Sequence, residues 1–206
     1  MNAAVAQDVS IRLVGGPLLP AGSGGIISAA PDPICGFVAA TDIESVAGYF
    51  QWNCNSSLQP VTDPCGRPNW NGVSCSSASI VDITLQNVQL HGSIPSSLGS
   101  LTALVILYLS ENSLTGSIPS SLGSMVGLNR LAMDANCLTG SIPSSISSLT
   151  GLFTLGLAAN CLSGPICSGI GTMTGLVELF LSVNSLTGSI PLSLGSLTRL
   201  QELHIS

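Results

Sequence analysis

Lysine is absent from this chain of 206 residues, whose only basic residues are Arg12, Arg67, Arg130 and Arg199. Ten acidic residues outweigh them, and the formal net charge is −6. A duplex or single-strand binder needs a basic face to displace counterions from phosphate, and four dispersed arginines cannot make one. No nucleic acid is therefore expected as a direct ligand. Without lysine there is no Walker-type phosphate loop, no Schiff-base chemistry and no lysine nucleophile, which removes several enzyme classes. Long apolar runs are missing too: a stretch such as Leu104 to Leu109 breaks off within about six residues, far short of the roughly 20 that a membrane helix requires. No membrane span is expected, and the chain reads as soluble.

Apolar residues make up 45% of the chain and charged ones only 7%, so Ser, the commonest residue, must supply the wet surface with Thr, Asn and Gln. Seven cysteines on a small, charge-poor chain point to an extracellular or otherwise oxidising compartment, where bridges persist. Their odd number leaves at least one thiol unpaired or paired outside the chain. The start has neither a basic n-region nor an apolar h-region, although Ala4-Val5-Ala6 before Gln7 has the form of a small-residue cleavage site. The expectation is a trimmed or alternative start.

A period of 24 organises most of the sequence. Leu104, Leu128, Leu152, Leu176 and Leu200 share one register, and Leu107, Leu131, Leu155, Leu179 and Leu203 share another. A third holds Leu109, Met133, Leu157, Leu181 and Ile205. Asn112, Asn136, Asn160 and Asn184 follow, then Leu114, Leu138, Leu162 and Leu186, then Gly116, Gly140, Gly164 and Gly188. Ile118, Ile142, Ile166 and Ile190 close the pattern, usually before Pro. A weaker copy precedes them at Ile80, Ile83, Leu85, Leu90, Gly92, Ile94 and Pro95.

Apolar residues spaced by three and then two turn one side of a short strand inward and leave the residues between them in solvent. Each coil thus contributes one strand, and successive coils stack at about 4.8 Å into a parallel sheet whose apolar registers become buried ladders. Asn at the turn brings both a donor and an acceptor to backbone groups that the bend leaves without partners. Gly allows the tight bend and Pro directs the return. No coil buries its face alone, so the stack is the cooperative unit.

The motif Leu-x-x-Leu-x-Leu-x-x-Asn-x-Leu-x-Gly-x-Ile-Pro resembles the plant-type leucine-rich repeat of receptor-kinase ectodomains and polygalacturonase-inhibiting proteins, over roughly residues 40 to 206. The resemblance implies an α/β fold: a right-handed solenoid with a parallel, concave sheet, a short 3-10 or irregular convex side and an N-terminal cap. Thr41 and Glu44 have capping-box spacing for a short helix through about Phe50. Cys65, Trp70, Gly72, Val73 and Cys75 are similar to the family's Cys…Trp-x-Gly-Val-x-Cys cap, which implies a Cys65–Cys75 bridge. Cys35 and Cys54 would make a second. The expected organisation is an extension rich in Gly, Pro and Ala at 1–35, a cap at 36–79, and repeats at 80–206 comprising five full coils and a truncated sixth.

The pattern breaks in places. Val88 stands where Asn is due, with Asn87 one place early, so the Asn column is expected to begin at Asn112. The fourth coil reads Pro165-Ile166-Cys167 instead of Ser-Ile-Pro, which keeps the apolar residue and puts the local path in question. The repeats run to Ser206 without a cap, so either further chain or a partner is expected to cover that end. Cys137 and Cys161 fall at the same place in successive coils, near 5 Å apart at their Cα atoms, which allows a bridge between coils; Cys161–Cys167 within one coil competes with it.

Function in such a scaffold belongs on the solvent positions of the parallel sheet. Val105, Ile106, Tyr108, Phe153, Val177 and Phe180 are expected to be exposed together, rimmed by Arg130, Glu178 and Glu202, as an apolar face for a protein or peptide partner. That makes the chain a non-catalytic recognition module, either a sensor or a subunit of a larger assembly. Glu178 and Glu202 sit on an open face rather than in a pocket, and His91 and His204 have no nucleophile system beside them, so no catalytic residue is expected. Four-Cys metal spacing is absent, and neither metal nor cofactor is expected. Asn55-Ser56-Ser57 is a glycosylation acceptor by sequence. The rival reading is an ice-binding solenoid, with rows at Thr115, Thr139, Ser163 and Thr187 and at Thr102, Thr150, Thr174 and Thr198, the latter interrupted by Val126.

Overall fold

A computed structural model describes residues 65, 72–77 and 79–205. The expected 1–35 extension, the capping box at Thr41 and Glu44, Trp70, the Cys35–Cys54 pairing and Asn55 lie outside the described residues. The first strand, β1 (Val73–Ser76), pairs antiparallel with β2 (Ser79–Thr84). From there the coils add β3 (Ile106–Tyr108), β5 (Arg130–Ala132), β7 (Thr154–Gly156), β9 (Glu178–Phe180) and β11 (Glu202–His204), all parallel, in a sheet of order β1-β2-β3-β5-β7-β9-β11. A second parallel sheet collects β4 (Thr115–Ser117), β6 (Cys137–Ser141), β8 (Cys161–Pro165) and β10 (Ser185–Thr187) in chain order. Five-residue 3-10 segments, from Ser96–Ser100 to Leu192–Ser196, complete the coils.

The apolar registers are the core. Leu107, Leu131, Leu155 and Leu179 are fully buried in strand register, as are Leu104, Leu152 and Leu176 one step earlier in each coil. The ladder opens at the last described strand: Leu203, next after Leu179, is 45% exposed.

Asparagine binds each turn to its neighbours. The Asn136 Oδ1 accepts the Leu114 N–H at 3.0 Å, while Nδ2 donates to the carbonyls of Leu109, Met133 and Asp134 at 2.9 to 3.2 Å. Asn160 and Asn184 repeat this arrangement, and Asn112 begins it by serving both Val88 and Leu90 in the coil before. The early Asn87 takes a separate role. It holds a left-handed backbone (φ 51°), the place taken by Glu111, Ala135, Ala159 and Val183 in later coils, and Asn tolerates that conformation better than most side chains.

The fourth coil keeps its path. Cys167 adopts φ −67° and ψ 140° at the position where Pro95, Pro119, Pro143 and Pro191 have φ between −77° and −61°, and Ile166 stays buried. The 3-10 segments nest by a size rule. A Cβ on Gly99, Gly123 or Gly171 would lie 2.3 Å from the carbonyl oxygen of Ser121, Ser145 or Ser193 in the next coil, so a glycine here faces a serine there. Between the third and fourth segments the pair is reversed: Ser147 takes the glycine's place and meets Gly169, whose Cβ would lie 2.8 Å from the Ser147 Oγ.

Cys65 and Cys75 form the disulfide that the resemblance implied, with Cα atoms 5.6 Å apart. Neither expected bridge among the later cysteines is present: Cys137, Cys161 and Cys167 are free. The second sheet explains the first of these, because its register sets Thr139, and not Cys137, opposite Cys161. No helix among the described residues is long and apolar enough to cross a membrane.

Candidate functional site

Strand pairing on the seven-stranded sheet aligns Asp82, Ile106, Arg130, Thr154, Glu178 and Glu202 in one column. Two residues further along each strand, Thr84, Tyr108, Ala132, Gly156, Phe180 and His204 align in a second. The second column is uneven. Its two middle residues, Ala132 and Gly156, are too small to rise above the sheet, while Tyr108 and Phe180 on either side stay partly exposed. The result is a trough of about 500 Å³, open to solvent. Three strand spacings separate its aromatic ends, about 14 Å at the ordinary distance between strands.

The side chains around the trough hold one another. The Arg130 Nη1 donates to the Tyr108 hydroxyl at 3.3 Å, and its guanidinium lies 5.7 Å from the centre of the Phe153 ring. The bond to Tyr108, helped by the charge of Glu178, holds the Arg130 pKa above its ordinary value. Thr154 donates to the Glu178 Oε2 at 2.8 Å, and the His204 ring meets Phe180 edge-on with centroids 5.1 Å apart.

Eight of the nine residues expected to contact a partner reach the surface. Val105, Arg130 and Glu202 are exposed, and Ile106, Tyr108, Phe153, Glu178 and Phe180 are half-buried. Val177 is a correction: only 6% of it is accessible. It lies in its column between Phe153 and Gln201, bonded to both through the backbone, and its short side chain does not clear those larger neighbours. Sequence reasoning also passed over Asp134. The turn after β5 places its carboxylate on the trough floor, where Oδ1 accepts the Ala158 N–H at 2.8 Å and Oδ2 accepts the Ser110 hydroxyl at 3.3 Å. Gly156 makes the room, since a Cβ there would lie 2.2 Å from the Asp134 Oδ2. A signal existed in the sequence: the other coils carry Ser110, Ala158 and Ser182 at this position.

Burial pushes the Asp134 carboxyl above its ordinary pKa, opposed by its hydrogen bonds from the Ala158 N–H and the Ser110 hydroxyl. A carboxyl that binds its proton more tightly folded than unfolded is a cost to the fold when ionised, and the cost disappears as pH falls through the raised pKa. Asp134→Asn keeps an acceptor for Ala158 and carries no charge. The expected outcome is a variant more stable than the parent at neutral pH, with the difference shrinking as the solution is acidified. Thermal melts of both chains from pH 7 to about pH 4, the ordinary carboxyl range, test this; a constant difference defeats it.

Among the described residues no group of three His, Cys, Asp or Glu side chains is placed to hold a metal ion. The geometry offers shape, aromatic surface and charge on an open face.

Comparison with known proteins agrees with this architecture. The Leucine Rich Repeat family profile matches residues 103–125 and 175–197. Protein STRUBBELIG-RECEPTOR FAMILY 2 of Arabidopsis thaliana is 48% identical over 50 residues, which is 24% of this chain and 7% of that protein. The chain therefore matches only a small part of this curated relative. Among solved structures, a chain of the BIR3–SERK2 complex from Arabidopsis thaliana is 35% identical with a TM-score of 0.69, the likeness covering 79% of this chain and 86% of that one. The PEPR1–AtPEP1 structure is 30% identical with a TM-score of 0.75, over 84% of this chain and 24% of the other.

Proposed function

The chain belongs to the plant-type leucine-rich repeat proteins, and from that premise we propose that it is a non-catalytic recognition module whose seven-stranded sheet binds a protein or peptide partner across the trough between Tyr108 and Phe180. The observation that carries the proposal is the trough itself: two aromatic side chains at the ends of a floor of Ala132 and the Asp134 carboxylate that lies over Gly156, on a face with no covering element among the described residues. Aromatic side chains that bury themselves in a complementary surface dominate interface energies. The likeness to structures solved as complexes, PEPR1 with AtPEP1 and BIR3 with SERK2, supports the same class of partner. Together with the Cys65–Cys75 bridge, it also supports an extracellular or otherwise oxidising location.

Affinity capture from the source organism, followed by mass spectrometry, supplies the partner. Replacing Tyr108 and Phe180 by Ala should then weaken association by about 1 to 4 kcal/mol in total, with little change in thermal stability because neither residue belongs to the buried ladders. Ser120 and Ser144, exposed in the 3-10 segments, serve as controls. Tolerance of both aromatic changes together with loss on altering the 3-10 side would show that the wrong face was chosen.

A second reading has one observation in its favour. Thr115, Thr139, Ser163 and Thr187 all lie exposed on the second sheet, a hydroxyl-bearing surface that suits ice binding, although the register staggers them by two residues from strand to strand. Thermal hysteresis that survives Tyr108→Ala but is lost on replacing Thr139 would support it over partner recognition.

A further inference from the structure

We propose that the trough is a subsite for a cationic side chain: it accepts an extended segment of a partner with a Lys or Arg, whose head group pairs with Asp134, between two apolar residues seated at Tyr108 and Phe180. The inference rests on the proposal that this face binds a protein or peptide, and specifies the chemistry of the residue at its centre.

The first argument is the state of Asp134. Its carboxylate is fixed by the Ala158 N–H and the Ser110 hydroxyl, yet among the described residues no basic group pairs with it. The one guanidinium lining the trough, Arg130, is engaged elsewhere, with the Tyr108 hydroxyl and the Phe153 ring. A half-buried carboxylate in this condition gains more from an incoming cation than an exposed one does, because part of its desolvation has already occurred.

The second argument is space. Ala132 leaves the floor low, and Gly156, having no side chain, lets the Asp134 carboxylate lie across it and form the floor there. An extended chain advances about 3.3 Å per residue and points alternate side chains to one face. Running across the strands from Tyr108 to Phe180, about 14 Å, it would set residues one, three and five toward the sheet. Residue three arrives roughly 7 Å along, between Ala132 and Gly156, where the Asp134 carboxylate sits.

The third argument is charge. Asp82, Glu111, Glu178 and Glu202 stand with Asp134 in the trough or in the strand column beside it, and only Arg130 there is basic. The potential favours approach of a cationic segment and opposes an acidic one.

The test uses the full chain and four labelled peptides, acetyl-Leu-Ser-X-Ser-Phe-amide with X as Arg, Lys, Met or Glu, titrated by fluorescence anisotropy. The Arg and Lys peptides should bind about tenfold more tightly than the Met peptide, and the Glu peptide most weakly. Asp134→Asn should bring the Arg-to-Met ratio close to one, whereas Tyr108→Ala should weaken all four peptides and leave that ratio unchanged. The wild-type ratios need no variant to fold, so they decide the matter alone. Equal binding of the Arg and Met peptides, preference for the Glu peptide, or no saturable binding of the Arg peptide overturns the cation subsite. A ratio that survives Asp134→Asn does so too. The wider proposal fails separately, if the captured partner ignores the loss of Tyr108 and Phe180.

Discussion

Replacing Asn136 by alanine is expected to cost the stack about 2 to 3 kcal/mol, because the buried Leu114 N–H loses its partner and three carbonyls each lose one of their two donors. In the intact chain this one side chain accepts from the Leu114 N–H and donates to the carbonyls of Leu109, Met133 and Asp134, spanning two coils. Water cannot easily replace it, since Asn136 is only 8% accessible. An orphaned buried amide costs about 1 to 3 kcal/mol, whereas the carbonyls of Leu109, Met133 and Asp134 each keep a second donor, from Asn112, Asn160 and the Glu111 N–H respectively. Asn136→Asp should be nearly as damaging: the carboxylate still accepts from Leu114 but has no proton to donate to three carbonyls. Urea melts of the two variants measure the effect. A loss under about 1 kcal/mol for Asn136→Ala, the worth of an ordinary single hydrogen bond, would show that the column does not hold the coils together.

The second large effect is a substitution that should fail alone and be rescued by a second one in the neighbouring coil. Gly169→Ser places a side chain against Ser147, whose Oγ lies 2.8 Å from the new Cβ position. Overpacking of this kind costs about 1 to 3 kcal/mol, and the neighbouring 3-10 segments leave little room to shift. With Ser147→Gly in the same chain, the pair becomes glycine facing serine, the arrangement that Gly123 and Ser145 already use, and most of the loss should return. Gly123→Ser is the matching case: its Cβ would lie 2.3 Å from the Ser145 carbonyl oxygen, a backbone atom, so trimming Ser145 to glycine should rescue it less. A double-mutant cycle on Ser147 and Gly169 reads the coupling as a free energy. Strict additivity would mean that the two segments do not press on one another.

These expectations separate what a repeat reveals from what it conceals. The buried ladders were legible because the same apolar residue returns in the same register coil after coil, and burial of Leu107, Leu131, Leu155 and Leu179 follows from that recurrence. The Asn column was legible for the same reason, including its start at Asn112. Asp134 was not, because an acid occurring once at a variable position resembles any other solvated side chain until its neighbours are known. Val177 was misjudged because alternation assigns a side of the strand, whereas exposure depends on the size of the residues in the adjoining coils.

Sequence alone determined the period, the residues that line the core, the parallel sheet and its solvent-facing side, since each follows from local spacing repeated along the chain. Only the tertiary structure decided how coils lie against one another. The second sheet offsets its strands so that Cys137 and Cys161 do not face, Ser147 and Gly169 exchange sizes, and Gly156 yields its space to a carboxylate from the coil before. The physical reason is that such contacts join residues about one coil apart in three dimensions, where a few ångströms of offset or one missing Cβ determines whether two groups meet.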